Sequence, residues 1–459
     1  LKHATSLIRK GCRIAAIKAG SSEAGSRAAS SHTGALASPD VAVDALFRKA
    51  GIVRCYGREE LVSVASVFML PELRGDRIAI ITHAGGPAVM LTDALSHAGM
   101  QVPHIEGEAA KELLTQLFPG SSVANPIDFL ATGTAAQLGT ILDYTDHRFD
   151  SIDGMAVIFG TPGLTSIFDV YEVLDRKMRE ASKPIFPILP SRLVARAEVE
   201  EFVAKGNVFF PDEVVFGQAL AKVFRTPKPA PDRADLPDID RNRIRSIIDG
   251  SPDGYITPAA IQGLLDACGI PRAGEAVVTT AEEAVGQASA LGYPVVMKVV
   301  GPVHKSDVGG VVLNVKDSDT VIREFSRMIR IPGTTAVLIQ PMLSGTELFT
   351  GAKYEPKFGH LVLCGMGGIF IEVLKDVAAG LAPLSPAEAI AMIRSLKSYK
   401  IIQGVRGKEG VSEGLFADII VRLSALLTIA PEISELDLNP LLGTPDRVVA
   451  VDARVCLKR

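Results

Sequence analysis

Between residues 75 and 225 short apolar runs alternate with amphipathic stretches, and this alternation limits the possible folds more than any other feature of the chain. Strand candidates are Arg77 to Thr82 (RIAIIT), Gly154 to Gly160 (GMAVIFG) and Pro184 to Leu189 (PIFPIL), with a shorter one near Val208 to Phe210. Helical patterns fall between them, for example Pro87 to Ala98 and Thr165 to Ala181. A strand that is apolar at every position needs cover on both faces, as in a parallel sheet flanked by helices. The expected fold class is therefore α/β, a flavodoxin-like doubly wound parallel sheet. Composition agrees: 47% of residues are hydrophobic, only 5% aromatic, none is tryptophan and 42 are glycine.

A chain of 459 residues suggests roughly three domains at ~150 residues each. Residues 1–73 hold a strand (Arg13 to Lys18), a small-residue loop, a helix capped by Ser38 with Pro39 in its first turn, a short strand (Ile52 to Cys55) and a helix from Arg58. This is too little for an independent α/β domain. Residues 74–225 look complete. Residues 226–255 are rich in proline and charge, the composition of a linker. Residues 256–459 change character. Thr257 and Pro258 open a helix that closes at Cys268 and Gly269, and Thr280 caps the next, with Glu282 and Glu283 at its positive end. Strands follow at Tyr293 to Val300, Val311 to Val315, Ala336 to Met342, Glu347 to Tyr354, His360 to Gly365, Glu435 to Leu442 and Val448 to Val455. This reads as a mostly antiparallel α+β domain. The chain begins at Leu1, in the middle of a pattern, which suggests a fragment or one part of a split protein.

The net charge of −4 comes with no basic stripe, so nucleic acid and anionic membrane surfaces are poor partners. The five cysteines are scattered without a CxxC pair, which fits reduced thiols in a cytoplasm rather than disulfides or zinc. No apolar run approaches the ~20 residues of a membrane span.

Several groups of residues point to phosphate chemistry. In Ser31-His32-Thr33-Gly34-Ala35 one histidine stands among small residues. It reads either as a surface histidine or as a nucleophile that carries a phosphoryl group, since neutral imidazole is nucleophilic near pH 7. The turns at Gly85-Gly86 and Thr132-Gly133-Thr134 place free amides at helix N-termini, where anions are favoured; each also serves as an ordinary tight turn. Lys298 lies in an apolar strand, and a buried ammonium is costly without an anion. Ten residues on, Lys305, Gly309 and Gly310 form a loop whose amides suit phosphate oxygens. His304, at its head, reads as a second phosphoryl acceptor or as a hydrogen-bond donor. Gln340-Pro341-Met342 ends a strand and offers backbone groups to an adenine edge, with Glu347 on the next strand. Asp437, Asn439 and Asp452 put hard oxygen donors into apolar strands, as Mg²⁺ requires.

These motifs together resemble the NDP-forming acyl-CoA synthetases, of which ADP-forming acetate–CoA ligase is the best-known type and succinyl-CoA synthetase a more distant relative. The resemblance covers SEAGSRAASSHTGALA, ITHAGGPAV, NPIDFLATG, YPVVMKVVGPVHKSDVGGV, CGMGGIFIEVLKDVA and ELDLNPLL…VVAVDAR, nearly the whole chain. It implies that 1–73 end a succinyl-CoA-synthetase-like flavodoxin domain, that 74–225 form a second flavodoxin-like ligase domain, and that 256–459 form an ATP-grasp domain. It implies that His32 is the phosphohistidine and His304 a second relay. Lys298, Lys305, Gly309, Gly310, Gln340, Met342 and Glu347 would bind ATP or ADP. Asn439 and Asp452, with Asp437, would hold Mg²⁺, and Gly85, Gly86, Thr132, Gly133 and Thr134 would border the phosphate and acyl site. CoA is the implied co-substrate. The family's N-terminal CoA-binding domain has no counterpart in the sequence, so a chain carrying it is an expected partner, within an oligomer. Two other readings stand beside this one: an ATP-grasp ligase without a phosphoenzyme, and a nucleotide-binding regulatory or scaffold protein. The acid substrate and the choice of ADP or GDP are not legible.

Overall fold

The computed structural model describes residues 1–33, 38–161, 166–231, 236–301, 308–368, 376–405, 407 and 409–459. It divides into two compact units, Leu1–Pro229 and Ala230–Arg459.

The first unit opens with α1 (Lys2–Arg9), β1 (Ala15–Ile17), α2 (Glu23–Thr33), α3 (Asp40–Ala50), β2 (Val53–Cys55) and α4 (Arg58–Phe68). β1 and β2 pair in parallel, Ala15 opposite Val53. Two expectations change here. His32 lies in α2, one residue from its end, rather than in a loop. The helix forms because the Ser22 hydroxyl accepts from the Gly25 amide at 3.1 Å, as an N-cap does, and Arg27 reaches Glu23 one turn back at 2.6 Å. Ser38 does not cap α3; Pro39 takes the N-cap position and no side chain caps it. Asp40, in the first turn, instead holds the Arg54 guanidinium at 2.6 Å and the Lys18 ammonium at 3.4 Å.

Next come β3 (Ile78–Thr82), α5 (Gly85–His97), α6 (Glu108–Leu114), β4 (Ile127–Asp128), α7 (Ala135–His147), β5 (Gly154–Ile158), α8 (Phe168–Glu180), β6 (Ile185–Ile188), α9 (Arg196–Ala204) and α10 (Glu213–Arg225). The sheet order is β4-β3-β5-β6, all parallel. Phe210 extends the sheet by a single parallel bridge to Ile188, so the strand expected at Val208 to Phe210 is reduced to one residue, stopped by Pro211. Every residue of β3 and β5 is buried. Ile78, Ile80, Ala156 and Ile158 enter one core, while Ala79, Ile81, Met155 and Val157 enter the other. That is why these strands read as unbroken apolar runs. β2 and α4 supply Val53, Cys55, Val64 and Val67 to the first of these cores, so 1–73 pack on the same sheet.

The second unit starts inside the stretch expected to be a linker. α11 (Arg241–Asp249) is capped by Asp240, whose carboxylate accepts from the Arg243 amide at 3.0 Å. Ile244 and Ile248, one turn apart, are fully buried, and helical spacing of apolar residues overrides the composition. β7 (Gly254–Tyr255), α12 (Pro258–Cys268), β8 (Ala276–Val278), α13 (Ala281–Leu291), β9 (Val295–Val300), β10 (Val311–Val315), α14 (Ser318–Met328) and β11 (Ala336–Pro341) follow. Then come β12 (Thr346–Glu355), β13 (Gly359–Met366), β14 (Val377–Leu381), α15 (Pro386–Arg394), α16 (Tyr399–Gln403), α17 (Glu413–Ile429), β15 (Ile433–Gly443), β16 (Val448–Ala450) and β17 (Ala453–Leu457). Thr257 and Thr280 cap α12 and α13 as expected, and the Thr280 amide donates in return to the Glu283 carboxylate. Two antiparallel sheets result. One has the order β10-β9-β11-β8, and the other β14-β13-β12-β15-β17-β7 with β16 beside β15. α17 buries ten residues against the larger sheet. The strand expected at Val448 to Val455 is interrupted at Val451 and Asp452, between β16 and β17.

Candidate functional site

In the second unit the break between β16 and β17 gathers two of the expected nucleotide residues, Lys298 and Gln340, beside the expected metal ligands Asn439 and Asp452. The Val451 carbonyl is the meeting point. Lys298, on β9 and only 8% exposed, donates to it from Nζ at 2.8 Å. Gln340, on β11, donates to it from Nε2 at 3.2 Å. Leu338 stands opposite Lys298 in the β9–β11 register, and Gln340 opposite Val296, so all four belong to one face of the smaller sheet. Asp452 follows Val451, and its carbonyl accepts from the Asn439 amide at 3.1 Å. The Val451 amide in turn donates to the Pro440 carbonyl at 3.1 Å. The two polar positions, one on β15 and one in the break, thus lie side by side.

Asp437, two residues before Asn439 on β15, stands opposite Arg454. Burial, together with the nearby Asp452 and Glu435 carboxylates, pushes its carboxyl up to about 6, against the opposing effect of Arg454. Acidic oxygens crowded at a half-buried place are what a divalent cation relieves. The donor set of Asp452, Asn439 and Asp437 therefore fits Mg²⁺, with phosphate and water completing its shell. Among the described residues no group of three or more His, Cys, Asp and Glu forms a metal cluster by itself.

A cleft of about 260 Å³ opens beside these residues, lined by Gln262, Arg272, Glu275, Leu338, Asp452 and Arg454 among others. Gly309, at φ +65°, ends the expected phosphate loop, and the Gly310 carbonyl accepts from Val299 at 2.8 Å. Lys305 and His304 lie outside the described residues. Glu347 is exposed and its carboxylate sits over the Gly368 backbone, where a Cβ would come within 1.8 Å of it. The Met342 amide donates to the Pro294 carbonyl at 3.0 Å. The Gln340 side chain is likewise engaged, with Glu275 and Val451.

In the first unit the other expected turns lie at the carboxyl edge of the parallel sheet, where α/β folds bind ligands. Gly85 and Gly86 form the first turn of α5. Both are exposed, and no side chain caps the helix. The space over Gly86 is open, and Asp128 Oδ2 lies 3.5 Å from where a Gly85 Cβ would be. Thr132 is exposed. The Thr134 amide is committed to the Gln137 side chain in a capping box. Gly133 is required by the Phe129 ring, which a Cβ would meet at 2.2 Å. His83, which the sequence did not single out, stacks on Phe159 with centroids 4.3 Å apart. Burial lowers its pKa against the raising effects of the Ile158 carbonyl and Asp128. His32 stands in α2 as described above.

The comparisons with known proteins bear on the same regions. The model of the ATP-grasp domain matches residues 250–457, and that of the succinyl-CoA ligase like flavodoxin domain residues 1–68. The chain is 40% identical over 204 residues to the beta subunit of ADP-forming acetate–CoA ligase I of Pyrococcus furiosus, covering 88% of that subunit and 42% of this chain. The chain belongs to the ADP-forming acyl-CoA ligase family. It is 33% identical over 459 residues to ADP-forming acetate–CoA ligase I of Archaeoglobus fulgidus, covering 97% of this chain and 66% of that protein. It is equally similar, 33% over 450 residues, to ADP-forming 4-hydroxybutyrate–CoA ligase of Nitrosopumilus maritimus, covering 94% and 64%. The chain therefore spans just under two thirds of the length of these two ligases. No described helix is long and apolar enough to cross a membrane.

Proposed function

We propose that this chain works in an ADP-forming acyl-CoA ligase: acyl-CoA + ADP + phosphate ⇌ carboxylic acid + CoA + ATP. The observation that supports this reading is that Lys298, from one sheet, bonds the Val451 carbonyl, next to Asp452, whose own carbonyl accepts from the Asn439 amide of the other sheet. The reading assigns the domains as 1–73 (end of a flavodoxin domain with His32), 74–225 (second flavodoxin-like domain), 226–255 (connection) and 256–459 (ATP-grasp).

In the energy-yielding direction a phosphate oxygen attacks the thioester carbonyl and CoA leaves as its thiol, giving an acyl phosphate. The amides of Gly85 and Gly86, at the positive end of α5, hold the anion, with Thr132, Gly133 and Thr134 bordering the acyl group. The neutral His32 imidazole attacks phosphorus and the carboxylate departs. The phosphohistidine then gives the group to the terminal oxygen of ADP, directly or through His304. Lys298 and Lys305 neutralise phosphate oxygens, Gly309 and Gly310 let the backbone close on them, and Glu347 belongs to the same nucleotide site. Gln340 and Met342 border the base. Mg²⁺, held by Asn439 and Asp452 beside Asp437, would supply charge neutralisation on the phosphates. We place the reaction in the cytoplasm, with a chain or domain carrying the CoA site as partner.

Incubation with γ-labelled ATP and Mg²⁺ tests the relay in wild type, His32→Ala and His304→Ala. The expected label is acid-labile, base-stable and absent from His32→Ala. Nucleotide binding without any label would sink the relay and favour the scaffold reading.

A further inference from the structure

One carboxylate that the proposed chemistry does not use stands behind this site. Glu275 lies one residue before β8, and the β8–β11 register sets Ile339 against Ala276, which brings Glu275 beside Gln340. Its Oε2 accepts from Gln340 Nε2, and its Oε1 accepts from Gln262 Nε2, on α12, at 2.6 Å. Gln340 is 2% exposed. Its amide nitrogen faces two acceptors, the Glu275 carboxylate and the Val451 carbonyl, so only one orientation of the amide is allowed. Its Oε1 is buried with no hydrogen-bond partner among the described residues, a cost the two bonds on the other side must offset.

The backbone just before Glu275 ties the same place to the larger sheet. Ala273 donates to the Ala450 carbonyl, and Ala450 to the Pro271 carbonyl, both at 2.8 Å. Pro271 to Glu275 is thus a strap between the sheets: its backbone pairs with the residue before Val451, and its last side chain orients the glutamine that grips Val451.

We propose that Glu275 is a positioning residue for the nucleotide–metal site. By holding Gln340 on the Val451 carbonyl it fixes the Val451–Asp452 turn, and so sets the Asp452 carboxylate in register with the Lys298 ammonium. This rests on the reading of Lys298 as a phosphate ligand and Asp452 as a metal ligand. Both carboxylate oxygens of Glu275 are engaged by glutamine side chains, Gln340 and Gln262. The effect of Glu275 falls on the coupling between nucleotide and metal: how much Mg²⁺ tightens ADP binding.

Calorimetric titration of the full chain with ADP, with and without Mg²⁺, measures that coupling in wild type, Glu275→Leu and Glu275→Gln. Glu275→Leu is expected to weaken Mg²⁺-dependent ADP binding by about tenfold to a hundredfold, the range for groups that orient metal ligands, with metal-free ADP binding within about threefold of wild type. Glu275→Gln keeps an acceptor for Gln340 and donates to a rotated Gln262, so it is expected to restore most of the coupling. Equal coupling in Glu275→Leu and wild type would overturn the proposal. So would equal weakening with and without metal, or a failure of Glu275→Gln to restore it, since either marks a merely structural role. Absence of ADP binding in wild type would overturn the nucleotide-site reading as well, and is a distinct result.

Discussion

Asp153 accepts three hydrogen bonds from a single residue, from the Arg77 amide at 3.1 Å, Nε at 2.9 Å and Nη2 at 2.7 Å. These bonds hold its carboxyl below the usual carboxylate range, against the smaller opposing effect of burial. A depressed folded-state pKa means that the unfolded chain binds the proton more tightly. The stabilisation is then complete above the unfolded value of about 3.9 and is lost as pH falls through the folded one. Asp153→Asn should lose about 2 kcal/mol at pH 7, a difference that fades below about pH 4; urea unfolding at both pH values checks this. Lys298→Met should weaken ADP binding by at least about tenfold, the loss of one charge-assisted contact, and titration calorimetry reads it directly. Lys298 and Asn439 stood out in the sequence because a polar residue in an apolar strand must have a reason, and the structure sets the Asn439 amide on the Asp452 carbonyl. Glu275 was not, because a glutamate beside a short strand looks like any solvated one. His83 was hidden for a similar reason. Its stacking on Phe159 depends on two strand ends that sequence distance does not connect.

Single helices show where pattern and composition disagree. The capping box of α13 was readable from Thr280 and Glu283, and both of its bonds form. Thr280→Ala should cost about 1 kcal/mol, measurable as a lower thermal midpoint. α11 is the opposite case. Prolines and charges before it make the whole stretch look like a linker, yet Ile244 and Ile248 carry it into the core. Ile248→Ala should destabilise the second unit by about 2–4 kcal/mol, because a docked isoleucine leaves a cavity, whereas in a free linker it would have no effect on denaturant unfolding. The break between β16 and β17 could not be read, because VVAVDARV has the same alternation with or without an interruption. The backbone bonds of Val451 and Asp452 to Pro440 and Asn439 define it.

At the scale of the whole molecule, the residues proposed to bind the nucleotide lie within Ala230–Arg459. That segment expressed alone should bind Mg²⁺-ADP within about threefold of the full chain, as a compact unit with its own core would; a titration of both proteins decides it. The parallel sheet was the most legible part of the molecule, since full burial on both faces leaves an unmistakable apolar run. The His32 segment was the least legible, since alanine and serine suit a helix and a loop almost equally, and Ser22 tips the balance. That helix has an electrical consequence. His32 is next to last in α2, where the peptide dipoles leave partial negative charge. If His32 is the phosphohistidine proposed above, the charge it gains at this end of α2 is expected to weaken the last turn of the helix.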